Sequence, residues 1–367
     1  MASPMNQPPN VKSTRHWHAL EDGRVQCDVC PRACRLKPGQ QGFCFVRENR
    51  EGAVVLSTYG LSSGYCIDPI EKKPLNHFLP GTPVLSFGTA GCNLGCKFCQ
   101  NWDISKSREV QTLADQASPD KIARVAETLG CRSVAFTYND PVIFMEYAMD
   151  VADACRARGI QTVAVTAGYM CTESRGDFYD HMDAANVDLK AFSEEFYRRT
   201  CSAELQPVLD TLKYLKHETE VWFEITTLLI PGENDDPGEL RAMAAWVMRE
   251  LGPDVPWHFS AFHPDFKMLD KARTPPATLL MARDIAMAAG IRYVYVGNVH
   301  HEAADSTYCH GCGEKVIGRD WYVLTGWKLE PGALCPSCGE PVAGVFEDQP
   351  GTWGARRQPV SMRAYAD

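Results

Sequence analysis

Positive charge is in short supply: 37 lysines and arginines face 46 aspartates and glutamates, a formal net charge of −9 at pH 7. A chain with no overall positive field has little to draw in a polyanion, so nucleic acid is not expected as a partner. Long apolar runs are missing too. No stretch approaches the ~20 residues that a membrane-crossing helix needs, so no membrane is expected as a partner either. The first twenty residues, MASPMNQPPNVKSTRHWHAL, hold no apolar block like that of a signal peptide, and the expected compartment is the cytoplasm. Internal repeats and low-complexity tracts are absent. With 45% hydrophobic and 23% charged residues over 367 positions, the composition excludes wholesale disorder and allows one large core with small appendages.

Cysteine, by contrast, is abundant: there are 16. In a reducing compartment such a number points to metal rather than to disulfides. Eleven fall in three tight groups: Cys27, Cys30, Cys34 and Cys44; Cys92, Cys96 and Cys99; and Cys309, Cys312, Cys335 and Cys338. The other five, Cys66, Cys131, Cys155, Cys171 and Cys201, are scattered and read as small buried hydrophobes.

Between the groups, strand-like apolar runs alternate with helical patterns, the signature of βα units on a parallel sheet. The expected strands lie at 83–91, 131–139, 160–168, 184–190, 220–230, 256–264 and 292–298. One expected helix has Ser118 as cap and Pro119 in its first turn. Ile122, Val125, Ala126 and Leu129 follow at helical spacing, and Gly130 is the stop. Another follows Pro141 and runs to about Gly159. Six or seven such units fall short of a closed eight-fold barrel, leaving a partial barrel or an open doubly wound sheet. The expected organisation is a cysteine-rich N-terminal extension (1–82), a core (83–298), a cysteine-bearing C-terminal module (299–345) and a polar, Pro/Gly-broken, poorly ordered tail (346–367).

GCNLGCKFCQNW sets Cys92, Cys96 and Cys99 in C-x3-C-x2-C spacing directly after the first core strand. That is the C-terminal face where β/α barrels carry their active sites. Iron–sulfur clusters are held by cysteine thiolates, and three thiolates on a cubane leave one iron open. By the logic that separates catalytic from structural zinc, an open position marks a centre that does chemistry. S-adenosylmethionine (SAM) can fill it through its amino and carboxylate groups.

These residues resemble the motif of the radical SAM superfamily, C-x3-C-x-aromatic-C, with Phe98 in the aromatic place. CDVCPRAC, GFCFVREN, DPIEKKPLNHF, GCNLGCKFCQNWDIS, NVDLKAFSEEFYRR, WHFSAFHPDFKM, YVYVGNVH and STYCHGCG extend the resemblance over nearly the whole chain. They resemble the radical SAM enzyme of the AmmeMemoRadiSam system, itself similar to glycyl radical enzyme activating enzymes. The resemblance implies an α/β fold, a partial (β/α)6 TIM-like barrel with a [4Fe–4S] cluster and SAM. It implies an oxidoreductase in which one electron cleaves SAM to methionine and a 5′-deoxyadenosyl radical that abstracts hydrogen. It also implies a protein or small-molecule substrate and an electron donor such as flavodoxin or ferredoxin.

The same resemblance assigns SAM-facing residues. TYND stands where radical SAM proteins carry the motif for the SAM amino group, giving Tyr138, Asn139 and Asp140, although the family's usual Glu is one methylene longer than Asp140. At 165–168, Val165 and Ala167 replace an Asp and an Asn of the activating enzymes, so those contacts do not transfer. Asp188, Lys190 and His258 match polar strand-end positions that face SAM or substrate; the bland alternatives are a salt bridge and a core histidine.

The flanking groups are metal candidates. Cys309-x2-Cys312 and Cys335-x2-Cys338, in CHGCG and CPSCG, form a zinc-ribbon-like pattern whose glycines permit the positive φ of metal knuckles. Zinc is expected, though four thiolates also suit iron. Cys27, Cys30, Cys34 and Cys44 match neither ferredoxin-like nor zinc-like spacing; an auxiliary cluster and a structural zinc both remain open. The alternative to an enzyme is a zinc-binding interaction module with a vestigial barrel.

Overall fold

The computed structural model describes residues 10–106 and 115–366. Residues 1–9 of the expected extension and residue 367 of the expected tail lie outside the described residues. Alternating strands and helices follow the predicted order. After short strands in the extension, the first strand of the main sheet is β1 (Tyr65–Pro69), followed by β2 (Pro83–Phe87), α1 (Pro119–Thr128), β3 (Ser133–Phe136) and α2 (Met145–Arg156). Next come β4 (Gln161–Thr166), α3 (Thr172–Tyr179), β5 (Ala184–Asp188), α4 (Gln206–Glu218), β6 (Trp222–Leu229) and α5 (Pro237–Glu250). The core closes with β7 (Trp257–Ala261), α6 (Pro276–Ala288) and β8 (Val294–Gly297).

The helix signals act as expected. Ser118 accepts from the Lys121 amide at the start of α1, and Gly130 beyond its end has φ +68°. Asp140 caps a short 3-10 turn over Pro141–Phe144 that leads into α2. The strands are buried along nearly their whole length, as parallel strands covered on both faces must be.

Strands β2 to β8 pair in sequence order, all parallel. The register sets Asp188 beside Thr226, Thr226 beside His258 and His258 beside Tyr295, one row across three strand pairs. The sheet does not close on itself; β8 is one of its edges.

Two expectations about boundaries need correcting. Strand β1, inside the expected extension, adds antiparallel to β2 and belongs to the core sheet. The tail is placed rather than unordered. After the module strands β9 (Thr307–Tyr308), β10 (Lys315–Asp320) and β11 (Val323–Trp327), the last strand β12 (Gln358–Val360) pairs antiparallel with β1, and Met362 behind it is fully buried. Its Pro/Gly-broken text misleads because an edge strand tolerates proline, and Pro359 pairs opposite Cys66. Covering β1 also satisfies a row of backbone groups that would otherwise stand open. The C-terminal module is a three-stranded antiparallel sheet, β9–β10–β11, with its own small core. In that core Val316, Ile317, Leu329 and Val342 pack with Tyr293 and Tyr295 at the edge of the main sheet. Among the described residues no helix is long and apolar enough to cross a membrane.

Candidate functional site

The strand ends converge on a cavity of about 730 Å³, within the usual ligand-pocket range of ~300–1,000 Å³. Its lining includes Cys92, Cys96 and Cys99 together with Tyr138, Asn139, Asp140, Asp188, Lys190 and His258. All nine residues singled out for the central site therefore share one space.

The cysteine loop is held from every side by its own backbone. Asn139 at the end of β3 donates through Nδ2 to Gly91 O (2.8 Å) and accepts from Thr89 N (3.2 Å). Gly95 N and Lys97 N donate to Cys201 O and Thr200 O at 2.7 and 2.9 Å. Asn93 Nδ2 reaches Tyr169 O (3.1 Å) and Lys106 Nζ reaches Leu94 O (2.6 Å). Gly91, at φ +86°, passes so close to the extension that a Cβ there would lie 1.9 Å from Cys44 O. Both close approaches require glycine, because a Cβ on Gly95 would lie 2.7 Å from Ser202 Oγ.

The thiols differ in their surroundings. Burial pushes the Cys92 thiol up to about 12, whereas a hydrogen bond from Cys201 holds the Cys96 thiol below the usual thiol range. Cys99 Sγ lies 3.1 Å from Ser105 Oγ, and the Leu94 amide points at Cys92 Sγ (3.5 Å). Lys190 Nζ sits 5.8 Å from the Phe98 ring centre and 2.7 Å from Asp188 Oδ2. Three thiols on one loop facing a cavity, with an amide aimed at sulfur and a buried cation beside them, fit an iron–sulfur cluster with one iron left to a ligand. They are not drawn to single-ion spacing; among the described residues only the C-terminal cysteines gather three or more ligand atoms within 4.8 Å.

The strand-end residues turn out to face different ways. Tyr138, at φ +72°, donates its hydroxyl to Asp68 Oδ2 (3.0 Å). Asp140 is buried, and both its carboxylate oxygens have partners: Oδ1 accepts from Val142 N (3.1 Å) and Thr166 Oγ1 (2.9 Å), Oδ2 from Ala167 N (2.9 Å). The bonds from Thr166 and Ala167 tie the end of β3 to the end of β4. His258 Nε2 lies 2.6 Å from Glu224 Oε2, and its ring stacks on Tyr295 at 5.1 Å. Glu224 also accepts from the amides of Asn76 and His77 (3.0 and 2.7 Å).

Several residues in or behind the cavity wall were missed in the sequence. Cys201, taken for a plain buried hydrophobe, is buried but sets its thiol against Cys96. Asp68 is fully buried and salt-bridged to Lys73 and Lys72 at 2.7 and 2.9 Å. Although burial opposes the charge, Lys73 and Lys72 bring the Asp68 carboxyl down to about 2. Arg357, from the tail, reaches within 3.9 Å of Asp68 and also lines the cavity. The one signal for the Asp68 group was the charge packed into DPIEKKP between apolar stretches.

The C-terminal cysteines form a compact tetrad. Cys309 Sγ lies 3.5 Å from Cys338 Sγ, and Cys312 Sγ 3.6 Å from Cys335 Sγ. A tetrahedron of ~2.3 Å metal–sulfur bonds spaces its sulfurs about 3.8 Å apart, so the tetrad fits one metal ion. Gly313 and Gly339, at φ +77° and +76°, close the two knuckles. Cys27, Cys30, Cys34 and Cys44 line a second, smaller cavity.

Residues 87–244 match the family described as the Radical SAM superfamily. Over 333 residues the chain is 38% identical to an uncharacterized protein of Methanocaldococcus jannaschii, covering 90% of this chain and 99% of that one. Over 181 residues it is 25% identical to a pyruvate formate-lyase-activating enzyme of Listeria monocytogenes, covering 46% of this chain and 70% of that one. Among solved structures, a radical SAM methyltransferase from Sphaerobacter thermophilus superposes with a TM-score of 0.49 at 12% identity, covering 79% of this chain and 78% of that one. Residues 87–244 thus form a Radical SAM superfamily domain.

Proposed function

We propose that the protein is a hydrogen-abstracting radical SAM enzyme, similar to glycyl radical activating enzymes and acting on a separate protein or small-molecule substrate. The observation that carries this reading is the placement of Cys92, Cys96 and Cys99 on the wall of the cavity into which the parallel strands end. When bound, the [4Fe–4S] cluster and SAM supply the electron transfer and the 5′-deoxyadenosyl group for hydrogen abstraction.

The chain's own residues supply position. Asn139 fixes the cysteine loop, and Asp140 braces the two strand ends beneath the pocket. The Lys190–Asp188 pair sets a cation beside the thiols, and the Glu224–His258 pair orients the imidazole at the pocket wall. An electron donor of the flavodoxin or ferredoxin kind completes the system. We read the sheet, with its six helices between seven parallel strands, as a partial (β/α)6 barrel, the C-terminal tetrad as a structural zinc site, and the chain as the radical SAM component of an AmmeMemoRadiSam system. The interaction-module alternative is disfavoured, since a vestigial core has no need of three cysteines held at its pocket.

The test is anaerobic reconstitution with iron and sulfide, then SAM and a strong reductant, with 5′-deoxyadenosine as the readout. Alanine at Cys92, Cys96 or Cys99 should abolish its release. A variant that keeps both full iron content and release would sink the assignment.

A further inference from the structure

We infer that Cys27, Cys30, Cys34 and Cys44 bind a second iron–sulfur cluster with all four thiolates, a closed electron-carrying centre set against the back of the catalytic cysteine loop. This goes beyond the proposed function, which needs only the central site.

The four residues come from separate turns of the extension and are brought together around one cavity. None forms a disulfide. Backbone hydrogen bonds close the turns that carry them: Cys27 N donates to Cys34 O (3.0 Å), Ala33 N to Cys30 O (3.1 Å) and Phe45 N to Gly42 O (3.1 Å). In these turns the chain adopts positive φ at two non-glycine residues, Ala33 (43°) and Phe45 (67°). Such conformations are costly and persist where the surroundings demand them. Thiols packed as simple hydrophobes demand no such turns, whereas thiolates that converge on a metal do.

Spacing separates a cluster from a single ion. The C-terminal tetrad, at 3.5 and 3.6 Å between sulfurs, shows what single-ion spacing looks like in this same chain; the N-terminal four are not gathered in that way.

The surroundings suit a cluster with no open iron. Val29, Phe43, Val142 and Ile143 form an apolar wall, and the Arg47 guanidinium lines the cavity. Four protein thiolates satisfy every metal position of the cluster, so the site carries electrons without binding SAM. Its neighbour is the catalytic loop: Asn93 lines the same cavity, Arg32 donates to Asn93 O and Ser202 O, and Gly91 abuts Cys44 O.

The experiment uses two full-length variants, purified and reconstituted anaerobically. In the Cys92→Ala/Cys96→Ala/Cys99→Ala variant we expect two or four irons per chain, with matching sulfide, in a reducible centre whose electron paramagnetic resonance does not respond to SAM. In the Cys30→Ala/Cys34→Ala variant that centre should vanish while a SAM-responsive one remains. Zinc, a single iron or no metal at the N-terminal site of the first variant overturns the proposal, as does a spectrum that shifts with SAM. Should a variant fail to fold, Mössbauer counting on the wild type decides: about six to eight cluster irons support the second centre, and about four, all SAM-responsive, overturn it. A cluster insensitive to SAM in a protein with no SAM-responsive centre would instead overturn the proposed function and leave this inference standing.

Discussion

Replacing Asp140 by Asn tests what that carboxylate is for. As a helix cap alone, Asp and Asn are nearly equivalent, and the substitution should cost little. The structure asks more of it. Oδ1 accepts from the Val142 amide and the Thr166 hydroxyl, while Oδ2 accepts from the Ala167 amide, all in a buried setting. Asn offers one acceptor oxygen and one NH2. Whichever way the amide turns, its NH2 faces the N–H of either Val142 or Ala167, two donors with no acceptor. Thr166 can rotate its hydroxyl to accept, but a backbone amide cannot. One unpaired buried donor costs about 1–3 kcal/mol, which lowers the thermal midpoint by a few degrees in a chain of this size. The assay is thermal unfolding of the metal-free protein followed by circular dichroism, beside SAM affinity on the reconstituted protein. The reasoning is refuted if the Asn variant melts with the wild type and loses only SAM affinity, by ten- to a hundredfold. That pattern would mean a direct charge-assisted contact with the SAM ammonium, worth about 1.5–3 kcal/mol.

Arg47 and Glu146 are both buried and joined by two hydrogen bonds of 3.1 and 2.6 Å; Arg47→Met should destabilise by about 3–5 kcal/mol in urea melts, and Arg47→Met/Glu146→Leu should recover most of it. Equal stability of the single variant and the wild type would contradict the pairing. Gly91→Ala, whose new methyl meets Cys44 O at 1.9 Å, should fold but lose iron from the central site, while Gly130→Ala, at φ +68° with nothing within 4 Å, should keep it; equal iron in both would remove the close-approach argument. Burial lowers the His77 imidazole from 6.5 to about 4, and its two nitrogens lie 2.6 Å from Ala343 O and 2.5 Å from Tyr295 Oη. The unfolded chain therefore binds the extra proton first, and stability from this group is complete above pH 6.5 and falls by roughly 3 kcal/mol on acidification to pH 4. Glu71 and Asp305, both raised to about 7 by burial, work in the opposite direction over overlapping windows. They are common to the wild type and a His77→Asn variant, so the difference between the two stability–pH curves isolates His77; parallel curves would contradict its being held neutral.

The parallel sheet was legible because each strand is a short apolar run and each helix carries its own punctuation, as at Ser118 and Gly130. The central cysteines were legible because their spacing is local. What could not be read is what depends on contacts between distant segments. Asn139 was picked out as a ligand-facing polar residue, yet its amide bridges Gly91 and Thr89, about fifty positions away. Glu224 looked like one charge in a strand until Asn76, His77 and His258 closed on it. The tail failed for a related reason: three residues of edge strand carry almost no periodic signal, and only the open edge of β1 gives them a place.

The same long-range contacts explain why three consecutive residues, Tyr138, Asn139 and Asp140, carry so much of the site. Alternation sends neighbouring side chains of a strand to opposite faces, but beyond the end of β3 the left-handed φ of Tyr138 breaks that rule. The three side chains then reach three neighbours: Tyr138 to Asp68 in β1, Asn139 to the cysteine loop after β2, and Asp140 to the end of β4. One turn thus links three adjoining parts of the pocket rim through buried hydrogen bonds. Reactive groups must be held to well under an ångström for efficient chemistry, and a loop anchored only by its metal would meet that demand only after the metal had bound. Because Asn139 and the backbone of residues 200–201 fix the loop independently of any thiol, its position is set by the fold before the cluster is assembled.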